Sequence, residues 1–140
     1  MALENKKITL DSNVWRDHLF ISYLQSEKST HVQHICPIIV YLETRLWYDM
    51  NGLSHDDFDL DLKNLRTKVI DFSKSHVEFI VDITKKTRIP FRQHARGFMI
   101  GSIVQSENSL LITNNKKHFD WLPSKTVLSP KEYLSIFLNI

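Results

Sequence analysis

Short apolar runs alternate with helix-patterned segments along this chain, and that alternation constrains its fold more than any other feature. The segment Lys6–Asp11 (Lys-Lys-Ile-Thr-Leu-Asp) reads as a short buried strand that ends on an acid. From Asn13 to Gln25, the residues Val14, Leu19, Ile21 and Leu24 fall in helical register. Pro37 opens the next helix, where a missing N–H costs nothing, and Ile39, Tyr41, Leu42 and Leu46 give it a broad apolar face. That helix runs to about Met50, where Asn51-Gly52 stops it. Ser54 caps a polar helix to Asn64 with Asp in its first turn, which suits the helix dipole. Thr67–Phe72 reads as a second strand. Ser73 or Ser75 caps the helix after it, with Val77, Ile80, Val81 and Thr84 facing inward. A helix from Gln93 to about Glu107, the strand Ser109–Thr113, a short strand at Val127-Leu128 and a helix opened by Ser129-Pro130 complete the series. Strands alternating with helices require a parallel sheet covered on both faces. The expectation is one α/β domain over residues 1–140, a three-layer α/β/α arrangement around a mainly parallel sheet of about four strands.

Composition narrows the class further. At 140 residues the chain has the size of one ordinary domain, and its 42% hydrophobic and 24% charged content is that of a globular protein. No apolar run approaches the roughly 20 residues needed to span a bilayer, so no membrane association is expected. The opening MALENKKITL lacks the apolar stretch of a secretory signal. The lone cysteine, Cys36, makes neither an internal disulfide nor a cysteine-based zinc site. Together these features lead us to expect a cytoplasmic protein. A net charge of +2 does not by itself imply nucleic-acid binding.

Three places carry candidate chemistry. Parallel α/β sheets bind ligands outside the carboxyl ends of their strands, and Asp11 and Thr113–Asn115 both fall at such ends. Asp11 precedes Ser12-Asn13, so it is either a helix cap or an acid presented to a ligand. Glu43 lies in Pro-Ile-Ile-Val-Tyr-Leu-Glu-Thr-Arg-Leu-Trp-Tyr, where a charge is costly unless it has a partner or a metal. An ion pair with Arg45, or with a basic residue from another helix, would satisfy it as well as a cation would. Thr113-Asn114-Asn115 offers hydroxyl and amide oxygens suited to a hard cation such as Mg²⁺, or simply a good turn. His31 and His34 lack the companions of a zinc motif. Arg92, Arg96, Lys116 and Lys117 form a candidate basic rim for an RNA backbone, with a solvated surface as the competing explanation.

In order and spacing these segments resemble the PIN-domain family, the fold of VapC-like toxin ribonucleases and of several RNA-processing nucleases. The resemblance runs almost end to end. It is carried by Ile8-Thr-Leu-Asp11-Ser-Asn-Val14, Ile38-Ile-Val-Tyr-Leu-Glu43, Phe91-Arg-Gln-His-Ala-Arg-Gly97-Phe-Met-Ile-Gly101, Leu111-Ile-Thr-Asn-Asn115 and Val127-Leu-Ser-Pro130. It implies metal-dependent phosphodiester hydrolysis, with Asp11 and Glu43 holding Mg²⁺ or Mn²⁺ and Asn115 at the fourth acid position. It implies that Ser12 and Thr113 orient those carboxylates and their waters. It also implies a homodimer and an inhibitory antitoxin protein.

One departure stands out. Where the family has a third Asp, this chain has Gly97, and aligning one residue earlier places Arg96 there. Either a metal-binding carboxylate has been lost at position 97, or Gly97 and Gly101 admit a close neighbour. The first explanation leads us to expect a chain crippled in hydrolysis, a gap beside Gly97 that a carboxylate fits, and restored cleavage in Gly97→Asp. The rival readings are a non-catalytic PIN-like scaffold that binds RNA or a protein partner, and an unrelated α/β binding domain whose acids are caps and ion pairs.

Overall fold

The computed structural model describes residues 6–26 and 32–138; His31 lies outside them. Five strands form one sheet in the order β3-β2-β1-β4-β5, and every pairing is parallel. They are β1 (Lys7–Leu10), β2 (Gln33–Pro37), β3 (Lys68–Ile70), β4 (Leu110–Ile112) and β5 (Val127–Leu128). The helices are α1 (Ser12–Trp15), α2 (His18–Ser26), α3 (Ile38–Met50), α4 (His55–Asn64), α5 (Lys74–Thr87), α6 (Phe91–Ser106) and α7 (Pro130–Tyr133). They cover the sheet on both faces in a three-layer α/β/α architecture. No helix among the described residues is long and apolar enough to cross a membrane.

The expected alternation is present, with three differences. The first is an extra strand, β2: Ile35 to Val40 runs from strand into helix with apolar residues throughout and no glycine between, so the sequence shows no boundary there. Pro37 is both the last residue of β2 and the N-cap of α3, so one proline serves the two elements. Second, the segment from Asn13 to Gln25 is two helices rather than one. Asp17 breaks it by accepting a hydrogen bond from the Phe20 N–H (3.1 Å), as an N-cap does. Third, α5 turns His76 and Ile80 inward, leaving Val77 and Val81 exposed. His76 locks that rotation: its Nδ1 accepts from the Ser73 N–H (2.9 Å), so its Nε2–H faces the Ser106 hydroxyl at 3.0 Å.

The core lies between sheet and helices. Ile8, Leu10, Ile35, Leu111 and Ile112 come from the strands, while Trp15, Tyr48, Phe58 and Phe98 cover them from the helices, all essentially inaccessible. Four-residue β1 is the middle strand, flanked by β2 on one side and β4 on the other. The chain winds one way from β1 to β3, then crosses to the other side for β4 and β5. The strand order therefore reverses between β1 and β4. In open α/β sheets this is where a crevice opens at the carboxyl ends of the strands.

Candidate functional site

Asp11 and Thr113 immediately follow β1 and β4, the two strands beside that crevice, and both are fully buried. The Asp11 N–H continues the ladder by bonding to the Ile112 carbonyl at 3.0 Å. Its carboxylate is then fixed on both sides. Oδ1 accepts from the Ser12 N–H (2.7 Å), so Asp11 is indeed the cap of α1, and Oδ2 accepts from the Thr113 hydroxyl (2.7 Å). The Thr113 Oγ1 accepts in turn from the Asn115 N–H at 3.0 Å. The loop after β4 is thereby tied through one threonine to the acid after β1.

Glu43 reaches the same point from α3 and Arg96 from α6, which is kinked two residues earlier at His94. The Arg96 guanidinium lies between the two acids. Its Nε donates to Glu43 Oε2, and its Nη2 donates to Glu43 Oε1 (2.8 Å), to the Ser12 hydroxyl (3.0 Å) and to Asp11 Oδ1. Side-chain exposure is 32% for Arg96, 30% for Glu43 and 0% for Asp11. Burial lowers the Arg96 pKa, but the hydrogen bonds to Glu43 and the charge on Asp11 outweigh it, and the guanidinium holds its proton more tightly than a free arginine. Glu43 thus finds its partner on another helix, as the ion-pair reading required. Arg45 turns instead to Tyr41, donating to its hydroxyl at 3.0 Å and lying over its ring.

The expectation for Gly97 is overturned. A Cβ added at Gly97 would lie 2.8 Å from the His118 backbone carbonyl oxygen, and one at Gly101 would lie 2.4 Å from the Trp121 ring. No gap for a carboxylate exists at position 97. The two glycines, one helical turn apart, let α6 press against the 3-10 turn Lys116–Phe119 and against Trp121, which is the packing explanation. Position 96, not 97, faces Asp11 and Glu43.

A cleft of about 470 Å³ opens over this group, lined in part by Asn13, Arg16, Glu43, Arg96, Asn115 and His118. Ser12 and Asn115 line it too, while Thr113 lies beneath it, bonded to Asp11. Arg16 was not anticipated; it lies over the Trp47 ring, 5.6 Å from its centroid, and only its position just after α1 hinted at the cleft. Arg92 and Lys117 are exposed and do not line the cleft, and Lys116 is held by Glu132 at 2.9 Å.

These residues do not fit a divalent cation as arranged. Mg²⁺ and Mn²⁺ bind through one or two carboxylates whose oxygens are free to face the ion, with waters completing the shell. Here each oxygen of Asp11 and Glu43 already accepts a hydrogen bond, and a positive charge stands between them. A different cluster is capable of coordinating such an ion. Ligand atoms of His55, Asp56 and Asp59, at the outer start of α4, lie within 4.8 Å of one another. It is an exposed group that the sequence reading did not single out.

The fold has known counterparts. A chain of a toxin–antitoxin complex from Klebsiella pneumoniae superposes with a TM-score of 0.65 at 18% identity, covering 88% of this chain and 97% of that one. A chain of VapBC2 from Rickettsia felis, solved bound to a DNA fragment from its promoter, gives 0.55 at 18% identity, covering 88% and 98%. The chain has the PIN, VapC-like fold. No protein-family model and no curated protein matches the sequence. At this identity the likeness concerns the fold, and function must be argued from the site.

Proposed function

We propose that this chain is a toxin-type PIN ribonuclease domain by descent which now holds RNA in its cleft without cutting it. The observation that carries this reading is Arg96: the acids of a nuclease-type site converge, but on a guanidinium belonging to the chain itself. Both carboxylates are already engaged by that one guanidinium, and Gly97 leaves no room for a third. The cleft is lined by Arg16, His118, Asn13, Asn115 and Arg96 itself, groups that suit phosphate and ribose oxygens. Fluorescence anisotropy with a short single-stranded RNA tests this. Binding is expected to survive EDTA, to weaken with salt, and to weaken in Arg16→Ala with a salt slope lower by about 1. Binding that disappears with EDTA, or that ignores Arg16, would contradict the proposal.

A second reading, a metal-dependent ribonuclease using Mg²⁺ or Mn²⁺, is favoured by the convergence of Asp11 and Glu43 at the switch point of the sheet. It predicts Mn²⁺-dependent cleavage that depends on Glu43.

We also propose a protein partner, as the toxin–antitoxin counterparts suggest, and assign the outer face of α3 to a second copy of this chain. Ile38, Leu42, Leu46 and Met50 recur every fourth residue there and are 37%, 51%, 51% and 84% exposed. Arg45 and Asp49 edge this stripe one turn apart, so two antiparallel α3 helices would match opposite charges. An antitoxin is the competing occupant.

A further inference from the structure

We infer that Arg96 is the resident cation of this site: its guanidinium takes, by covalent attachment, the place that a divalent ion takes in a carboxylate metal site. This deepens the reading of the same cleft, but its test reads metal binding and stability rather than RNA, so either can fail alone.

Three observations support it. The Nε and Nη2 groups together reach four acceptors on Asp11, Ser12 and Glu43, which come from two different helices and the strand edge. One planar group therefore ties α1, α3 and α6 at the carboxyl edge of the sheet, as a shared metal ion would. Second, the position of Arg96 is set by its neighbours. Gly97 and Gly101 seat α6 directly on the Lys116–Phe119 turn and Trp121, and this seating aims the preceding side chain at the acids. The glycine that reads as a lost acid is thus what holds the arginine in position. Third, Asp11 is wholly buried, so its charge requires a permanent partner, and Arg96 is the one cation among the described residues that bonds to it. A lysine would reach the same place but has no planar fork to hold both carboxylates at once.

The test is thermal melting of the whole chain with and without millimolar Mn²⁺, in the wild type, Arg96→Gln, Arg96→Lys and Glu43→Gln. Wild-type melting is expected to be indifferent to Mn²⁺ at this site, so that Glu43→Gln does not change its metal response. Any response from the exposed His55-Asp56-Asp59 group is common to all variants and cancels. Arg96→Gln should melt lower by about 5 °C or more, and Mn²⁺ should recover much of that loss, because a divalent ion binds the vacated acids in the folded state alone. Arg96→Lys should fall between, with a smaller metal response. Should Arg96→Gln fail to fold, the wild type, Arg96→Lys and Glu43→Gln still decide. A wild-type rise with Mn²⁺ that Glu43→Gln removes overturns the inference. So does Arg96→Gln or Arg96→Lys melting at the wild-type temperature in EDTA.

Discussion

Consider replacing Gly97 with alanine and then with aspartate. In alanine the new methyl group meets the His118 carbonyl oxygen at 2.8 Å, well inside ordinary van der Waals contact. The carbonyl belongs to the 3-10 turn Lys116–Phe119, whose last residue is fully buried in the core, so the turn gives way only by shifting Phe119 with it. Overpacking of this kind costs about 1–3 kcal/mol. Against it stands a gain of about 1 kcal/mol from replacing glycine inside a helix. The net expectation for Gly97→Ala is a loss of roughly 1 kcal/mol. Aspartate gains less helix propensity and places a carboxylate against a carbonyl, so Gly97→Asp should lose about 2 kcal/mol. Urea denaturation of the three proteins, with slopes compared to confirm the same unfolding, measures both values. Gly97→Asp should not acquire Mn²⁺-dependent RNA cleavage. If it proves more stable than the wild type, or gains cleavage that Glu43→Gln abolishes, the packing account of Gly97 is wrong.

Three other expectations follow from the same contacts. Thr113→Val removes a buried hydroxyl from the charged Asp11 and should cost about 1.5–3 kcal/mol, while Thr113→Ser should cost far less; chemical denaturation separates them. Burial lowers the His34 pKa to about 4, against the bond from its Nδ1 to the Leu65 carbonyl. The folded state therefore binds this proton less readily than the unfolded state. Its contribution is intact above the unfolded value near 6.5 and is lost as pH falls toward 4. Between pH 7.5 and 5 the loss amounts to about 2 kcal/mol, and His34→Asn, which keeps a donor, should show a pH dependence smaller by that amount. Leu42→Glu with Leu46→Glu should leave a folded monomer in sedimentation; an unchanged oligomer would remove α3 from the dimer interface.

Much of the fold was legible because the pattern carried it. Apolar strands, Ser54, Ser73 and Ser129 caps, and the prolines at helix starts all act locally, and the structure uses each as a boundary. β2 was hidden because burial on both faces gives a strand no alternation, and nothing separates it from the apolar start of α3. The site was legible to the extent that backbone position fixed it: an acid at the end of the central strand and a threonine at the end of its neighbour must meet. The fate of Glu43 was not, since the sequence offered a metal and an ion pair equally. Only the seating of α6 on Gly97 and Gly101, a contact between segments about twenty residues apart, turns Arg96 rather than position 97 toward the acids.

Whether the cleft binds RNA without cutting it is decided by a time course of a labelled single-stranded RNA with the wild-type chain in Mn²⁺, with Glu43→Gln in parallel. Arg96 already bridges the two converging acids and occupies the place between them. The RNA is therefore expected to be bound and to stay intact, with the same background decay in both samples. Steady Mn²⁺-dependent cleavage by the wild type, absent in Glu43→Gln, would contradict it.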